Sequence, residues 1–193
     1  LSPLYDFLCE KGCEGWHKDT TENTDEAYAL IKEADSIIFL GHGASDTLYG
    51  SPQDGEFTVL INETNIQELL YGKRCFILAC NSYEFCENYN LTSFIGFGNM
   101  PTGIVDVKIA MEADTTFPSL EKEDIDTYDA ALVSLLIRAF NVAWLTDMEK
   151  LYSKIRLYAN VEIGECLINK PCKMFREVAD LLQDFKNDCT YCP

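Results

Sequence analysis

The chain lacks the long apolar run that a membrane-spanning helix requires. No stretch of about 18 consecutive apolar residues occurs anywhere in the sequence. The first residues also lack the basic segment and apolar stretch of a signal peptide. The length of 193 residues predicts a single domain, and a start at Leu1 rather than methionine leads us to expect a trimmed chain or one domain of a longer protein.

Basic residues are scarce as well. Fifteen lysines and arginines stand against 32 aspartates and glutamates, which gives a formal net charge of −17. Such a charge repels phosphate backbones and anionic lipid surfaces, so we expect neither nucleic acid nor a membrane to bind this domain. A basic substrate or partner is compatible with the charge, although solubility is its simplest explanation.

Histidine is rarer still, with two in the chain, and there is neither a metal-binding histidine pair nor a glycine-rich phosphate loop. We therefore expect no cofactor and no metal. The nine cysteines cannot all pair within the chain, and several lie in apolar runs, which favours a reducing cytoplasm. One alternative is a four-thiolate zinc site joining the chain ends, formed by Cys9, Cys13, Cys189 and Cys192.

The sequence does contain a regular order of apolar segments. Residues 36–40 form a short apolar run that is typical of a strand buried on both faces, and residues 75–79 form another. Between them, two β-prone runs around Asp54 and Gly55 predict a hairpin, and a helix with a capping-box start is ended by Gly72. A strand, a helix and a strand imply a right-handed crossover, so we expect the two strands to be parallel.

The remaining segments predict an α/β protein with a mostly parallel sheet covered by helices. A third strand is expected at residues 93–98, and the acidic residues 112–129 are interpreted as a loop. Helices are predicted from apolar periodicity and composition at residues 24–34, 127–146, 150–160 and 173–186.

Each of the two buried strands leads to a chemically capable residue. His42 follows the first strand in IIFLGHG, and Cys80 follows the second in FILACNS. Parallel strands bring both residues to the carboxyl edge of the sheet, where ligands bind in open α/β folds. A neighbouring histidine activates a cysteine thiol, so we interpret Cys80 as a nucleophile and His42 as its base. The N–H groups of Gly43 and Cys80 are candidates for an oxyanion hole.

These two segments resemble the signature of clan CD cysteine peptidases, in which one apolar strand leads to His-Gly and another to Ala-Cys. The caspase form has Gln-Ala-Cys and a histidine about fifty residues upstream. Here Leu78 replaces the glutamine, Asn81 and Ser82 follow the cysteine, and the separation is shorter. These departures look more like the CHAT peptidase group. The resemblance covers roughly residues 36–103 and says little about the rest of the chain.

The resemblance implies a caspase-like fold and a cysteine endopeptidase that acts on a protein or peptide substrate without a cofactor. His42 would be the base and Cys80 the nucleophile. It also implies a regulated bacterial protease, switched on by an attached sensor module or a partner protein. Members of the family usually have a strand and a helix before the histidine strand, and only residues 4–8 are available here to form that strand.

In caspase-like peptidases the loops after the cysteine strand line the substrate cleft. Between Cys80 and Lys122 the chain has several acidic residues and a single base, Lys108. Asp106 is the candidate that would receive a basic P1 side chain, as in basic-specific relatives, and the alternative is an ordinary surface aspartate. We therefore expect cleavage after Lys, Arg or a long unbranched residue rather than after Asp.

Two other functions stay open. In a non-catalytic acidic α/β interaction module, Cys80 and His42 would be packing residues, because a cysteine that ends an apolar strand usually acts as a small hydrophobic side chain. A thiol acyltransferase or a deamidase would use the same dyad for different chemistry. Thiol labelling distinguishes the first from a peptidase, and product analysis distinguishes the second.

Overall fold

The computed structural model describes residues 1–15, 24–53, 56–100 and 120–193. A four-stranded sheet is formed by β1 (Ser36–Leu40), β5 (Arg74–Leu78), β6 (Phe94–Gly96) and β7 (Thr190–Cys192), in the order β1-β5-β6-β7. β5 pairs in parallel with β1 and with β6, and β7 runs antiparallel to β6. The predicted α/β class with a mostly parallel sheet is confirmed.

A second, antiparallel sheet follows directly from β1. It contains β2 (His42–Gly43), β3 (Leu48–Gln53) and β4 (Glu56–Ile61), in the order β2-β3-β4. The predicted hairpin is confirmed. In chain order it comes between β1 and β5, the two paired strands that lead to His42 and Cys80.

Helices cover both faces of the four-stranded sheet. They are α1 (Ser2–Glu10), α2 (Thr24–Glu33), α3 (Ile66–Leu70), α4 (Ser82–Asn88), α5 (Lys122–Phe140), α6 (Met148–Asn169) and α7 (Phe175–Asp188). Within the described residues no single helix is long and apolar enough to cross a membrane, although α5 with Leu145–Asn169 passes the same test as a pair bent by 72°.

β5 separates two hydrophobic cores because its side chains alternate between the two faces of the sheet. Phe76 and Leu78 belong to the core that also contains buried residues of α1, α5, α6 and α7. Cys75, Ile77 and Ala79 belong to the core beneath α3, α4 and the hairpin. The continuous apolar run of this strand is therefore explained by burial on both faces.

β1 was predicted to be equally buried, and that prediction is wrong. Ile37 is its one buried residue and the other four are half-buried. In the part of the chain that the structure describes, β1 is an edge strand of the sheet. Residues 4–8, the only segment available for the extra strand of the peptidase family, lie in α1 instead. Leu4 and Leu8 are one helical turn apart and both are buried against the core.

The acidic stretch at residues 112–129 was predicted to be a loop, and the described part of it is mostly helix. α5 begins at Lys122 and its first turn contains Glu123 and Asp124, a position where acidic side chains favour a helix. The carboxylate of Asp124 accepts hydrogen bonds from the backbone N–H groups of Glu121 (2.9 Å) and Met174 (3.0 Å). It thereby connects the start of α5 to the start of α7. Residues 112–119 lie outside the described residues.

The sequence predicted how the helix between β4 and β5 begins and how it ends, and the structure confirms the ending alone. Gly72 has a φ of +73° directly after the C-cap residue Tyr71, as a terminating glycine should. The expected capping box at Thr64 does not form. The hydroxyl of Thr64 donates to Asn62 Oδ1 at 2.6 Å, and the helix begins after Asn65.

Candidate active site

β1 and β5 end side by side. Their register pairs Leu40 with Leu78, and the N–H of Gly41 donates to the carbonyl of Leu78 at 3.1 Å. His42 and Cys80 each follow two residues after that pair. Both therefore leave the carboxyl edge of the sheet from adjacent parallel strands. The predicted parallel pairing is confirmed, and the catalytic roles of the two residues stay predictions.

Gly43 lies close against the turn that carries Cys80. A Cβ atom at this position would lie 2.8 Å from the carbonyl oxygen of Cys80 and 3.0 Å from the Cβ of Ala79. The obstacle is backbone, which cannot move aside easily, so any larger residue would push the turn of His42 away from the turn of Cys80. The glycine thus has a packing role in addition to the oxyanion role expected from the sequence.

The sulfur of Cys80 contacts the main chain that follows β6. The thiol donates to the carbonyl oxygen of Met100 at 3.2 Å, and the N–H of Met100 donates to the sulfur at 3.3 Å. Cys80 is half-buried and packs against the core that contains α5. The backbone of Met100 thus contacts the sulfur through both its N–H and its carbonyl group.

His42 lies at the junction between the main sheet and the hairpin. It is half-buried, and its imidazole ring is 4.8 Å from the ring of Phe57, tilted by 58°. Its strand neighbour across β2 and β3 is Tyr49. His42 therefore belongs to the hairpin sheet and lies two residues after the end of β1.

Ser82 holds the turn that carries Cys80. It is fully buried, its hydroxyl donates to the carbonyl of Ile77 at 2.7 Å, and it accepts from the N–H of Phe97 at 2.9 Å. The hydroxyl thus connects β5 to the segment after β6. Asn81 completes the tight turn with a φ of +54°, a conformation that asparagine tolerates better than most residues.

α4 connects the cysteine turn to the loop that follows the histidine. It begins at Ser82, and near its other end the side-chain amide of Asn88 donates to Ser45 O at 2.8 Å and the hydroxyl of Tyr89 donates to Asp46 O at 2.9 Å. Burial raises the pKa of Tyr89, and the charge of Asp46 raises it further. One short helix therefore positions both halves of the candidate site relative to each other.

Acidic groups from the C-terminal part of the chain act electrostatically on Tyr128, a buried residue of α5. Burial raises the pKa of Tyr128, and the charges of Asp129, Cys80, Asp184 and Asp188 raise it further. Burial also raises the pKa of Asp184, with Asp188 and Asp180 adding to the effect. The charges of Asp129, Asp184, Asp188 and Cys80 therefore all raise the pKa of the same buried hydroxyl group, that of Tyr128.

The remaining predicted site residues are Asp106 and the four cysteines of the alternative zinc site. Asp106, the expected receptor of a basic side chain, lies outside the described residues. The alternative zinc site does not form, because no group of three or more His, Cys, Asp or Glu side chains in the described residues could hold a metal ion. All nine cysteines, including the four near the chain ends, are free thiols.

Several residues of the site were missed in the sequence. Ser82 left a signal, since it follows Cys80 in ACNS and a buried hydroxyl after a strand end often satisfies backbone groups. Asn88 and Tyr89 left none, because their partners lie more than forty residues away in the chain. The same is true of Met100, whose contact with Cys80 is made by backbone atoms.

No protein-family model, no curated protein and no solved structure matches the chain. The resemblance to clan CD cysteine peptidases therefore depends on the two short segments around His42 and Cys80. Their geometry at the sheet edge is the evidence that bears on function.

Proposed function

We propose that this chain is a caspase-like cysteine endopeptidase of the CHAT type, with Cys80 as nucleophile and His42 as base. The observation that supports the proposal is the pairing of Leu40 with Leu78, which brings both residues out of adjacent parallel strands at one edge of the sheet. The contact of Gly43 with the Cys80 peptide is a second support, since it holds the two turns together.

In the proposed reaction His42 takes the thiol proton, and the sulfur of Cys80 attacks the scissile carbonyl carbon. The N–H groups of Gly43 and Cys80 stabilise the oxyanion that forms. The C–N bond then breaks, and His42 gives the proton to the leaving amine. A water molecule, deprotonated by the same histidine, hydrolyses the thioester and releases the thiol. No cofactor takes part.

The proposed substrate is a protein cleaved after a basic residue. The abundance of acidic residues between Cys80 and Lys122, where Lys108 is the single base, supports this preference because carboxylates attract a cationic side chain and repel an acidic one. Asp106 is retained as the candidate that directly receives this side chain. We further propose regulation by a sensor module or partner in a bacterial cytoplasm, a reducing compartment that suits nine free thiols.

Thiol labelling tests the dyad. The rate of alkylation by iodoacetamide, followed for each cysteine by peptide mass spectrometry, should be highest at Cys80. The matched controls are the other half-buried thiols, Cys9, Cys13 and Cys192. Burial raises the pKa of Cys75 and that of Cys189 to about 12 and also raises the pKa of Cys86, so these three should react slowest.

His42→Ala should slow the labelling of Cys80 and leave the rates of the control thiols unchanged. Uniform labelling of the half-buried cysteines would instead support the non-catalytic interaction module. Fluorogenic peptides that differ only at P1 then test specificity, and faster cleavage after Asp than after Arg or Lys would contradict the basic preference. Mass analysis of the products separates hydrolysis from acyl transfer and deamidation.

A further inference from the structure

The outer face of the hairpin sheet is apolar and exposed. We use the term hairpin face for His42, Tyr49, Phe57 and Val59, which the register places on one side of β2, β3 and β4. The ring of Phe57 lies 4.8 Å from that of His42 and 5.8 Å from that of Tyr49. Phe57 is 49% exposed and Val59 is 45% exposed.

Packing among the residues that the structure describes does not account for this face. The hairpin contributes to the core through its other side, where Leu48, Leu60 and Ile61 are buried. Phe57 and Val59 remain among the most exposed large apolar residues that the structure describes. Covering the exposed half of these side chains would remove apolar surface from water, so the face offers binding energy to a partner.

The position of His42 indicates which partner covers the face. His42 is a member of the hairpin face and also leaves the same edge of the sheet as Cys80, so the face is continuous with the proposed dyad. We propose that the hairpin face is a substrate subsite that accepts an aromatic or branched aliphatic side chain. This side chain belongs to the residue on the amine side of the scissile bond, across the bond from the basic P1 residue. This inference rests on the proposed peptidase function and adds a second determinant to the basic P1 residue.

The chemistry of the face suits such a side chain. Its four members are aromatic or aliphatic, and tilted rings with exposed surface favour further aromatic contacts. The edge of β4 is less available at its end, because the carbonyl of Leu60 already accepts hydrogen bonds from Tyr28 Oη at 2.8 Å and Asn65 Nδ2 at 2.9 Å. Docking is therefore expected through side chains on the face rather than by adding a strand at that end.

Chloroacetyl peptides test the inference without knowledge of the natural substrate. The Cys80 thiolate displaces chloride from such a probe and forms a thioether, and intact-protein mass spectrometry measures the rate. Probes that carry Phe, Val or Ser beside the chloroacetyl group should differ, with Phe and Val about tenfold faster than Ser. Phe57→Thr and Val59→Thr should reduce this ratio toward one, since threonine keeps the strand preference and removes apolar surface.

Val142→Thr is the matched control, because Val142 is 43% exposed and lies outside the hairpin. It should retain the full ratio. Iodoacetamide carries no amino-acid side chain, so its reaction with Cys80 tests the peptidase proposal independently of the subsite. If it does not label Cys80 fastest, the proposed peptidase function fails.

If iodoacetamide does favour Cys80 while the three probes react equally, the subsite is overturned and the peptidase proposal is unaffected. A ratio that survives both hairpin variants overturns it as well. Sedimentation velocity covers the remaining occupant: a wild-type dimer that both hairpin variants convert to monomer would assign the face to a second copy of the chain and overturn the subsite.

Discussion

β5 and the β3–β4 hairpin are built from similar apolar residues in opposite surroundings. Every residue of β5 from Cys75 to Leu78 is at most 2% exposed, whereas Phe57 and Val59 of the hairpin are about half exposed. β5 lies between two strands with a hydrophobic core on each face, and the hairpin has a core on one side. Folding explains the apolar residues of β5, while those of the hairpin face are better explained by binding.

The largest expected effect comes from a matched pair of phenylalanines. Phe76→Ala should destabilise the protein by about 3–5 kcal/mol, because its buried ring packs against those of Phe97 and Phe140. Phe57→Ala should cost less than about 1 kcal/mol, since its ring is half exposed. Urea denaturation of both variants measures the difference, and equal losses would contradict the distinction between the two regions.

Asp124→Ala extends the comparison to the helical part of the chain and should cost about 2–3 kcal/mol at neutral pH. Burial alone would raise the pKa of Asp124, but the hydrogen bonds from the N–H groups of Glu121 and Met174 outweigh it and the pKa is lowered. Because the folded-state pKa lies below the unfolded value of about 3.9, this stability is present above that pH and is lost as the pH falls through the folded pKa.

Unfolding measured between neutral and strongly acidic pH checks this prediction. The wild type and Asp124→Ala should converge at strongly acidic pH, once the pH has fallen below the lowered pKa of this carboxyl group. Lys122→Ala is a suitable control, since its ion pair with Asp126 is exposed and should contribute little at any pH. A gap that persists unchanged in acid would contradict the role given to the carboxylate.

Ser82→Ala should cost about 1–3 kcal/mol, because it leaves the buried N–H of Phe97 without its hydroxyl acceptor. The same change should slow the alkylation of Cys80, whose turn Ser82 holds. Ser82→Thr restores the hydroxyl, and recovery of the labelling rate would distinguish positioning from a general loss of stability. An unchanged rate in a destabilised Ser82→Ala protein would assign Ser82 a structural role alone.

The smallest expected effect on stability is that of Cys80→Ala. It should abolish cleavage of a true substrate while costing about 1 kcal/mol or so of stability, since one small side chain replaces another at the end of a strand. Circular dichroism and urea denaturation measure the second part. Retained turnover would mean that the nucleophile is another residue.

The sequence by itself determined the elements whose pattern is local. The apolar runs of β1, β5 and β6, the Asp-Gly hairpin and the periodic helices are all visible in short windows, because burial imposes its spacing directly on neighbouring residues. The placement of His42 and Cys80 followed from the same patterns. Two parallel strands with a crossover between them have only one common carboxyl edge.

Only the tertiary structure decided what surrounds those two residues. Met100 reaches the sulfur of Cys80 from the segment after β6, and Asn88 and Tyr89 reach the loop after His42 across more than forty residues of chain. No local sequence pattern records such contacts. β7 is a strand of three residues that exists because β6 offers a free edge, and α1 is a helix because Leu4 and Leu8 face a core built by later residues. The exposure of the hairpin face was equally hidden, since burial depends on which elements pack above a strand and sequence alone shows only that the strand is apolar.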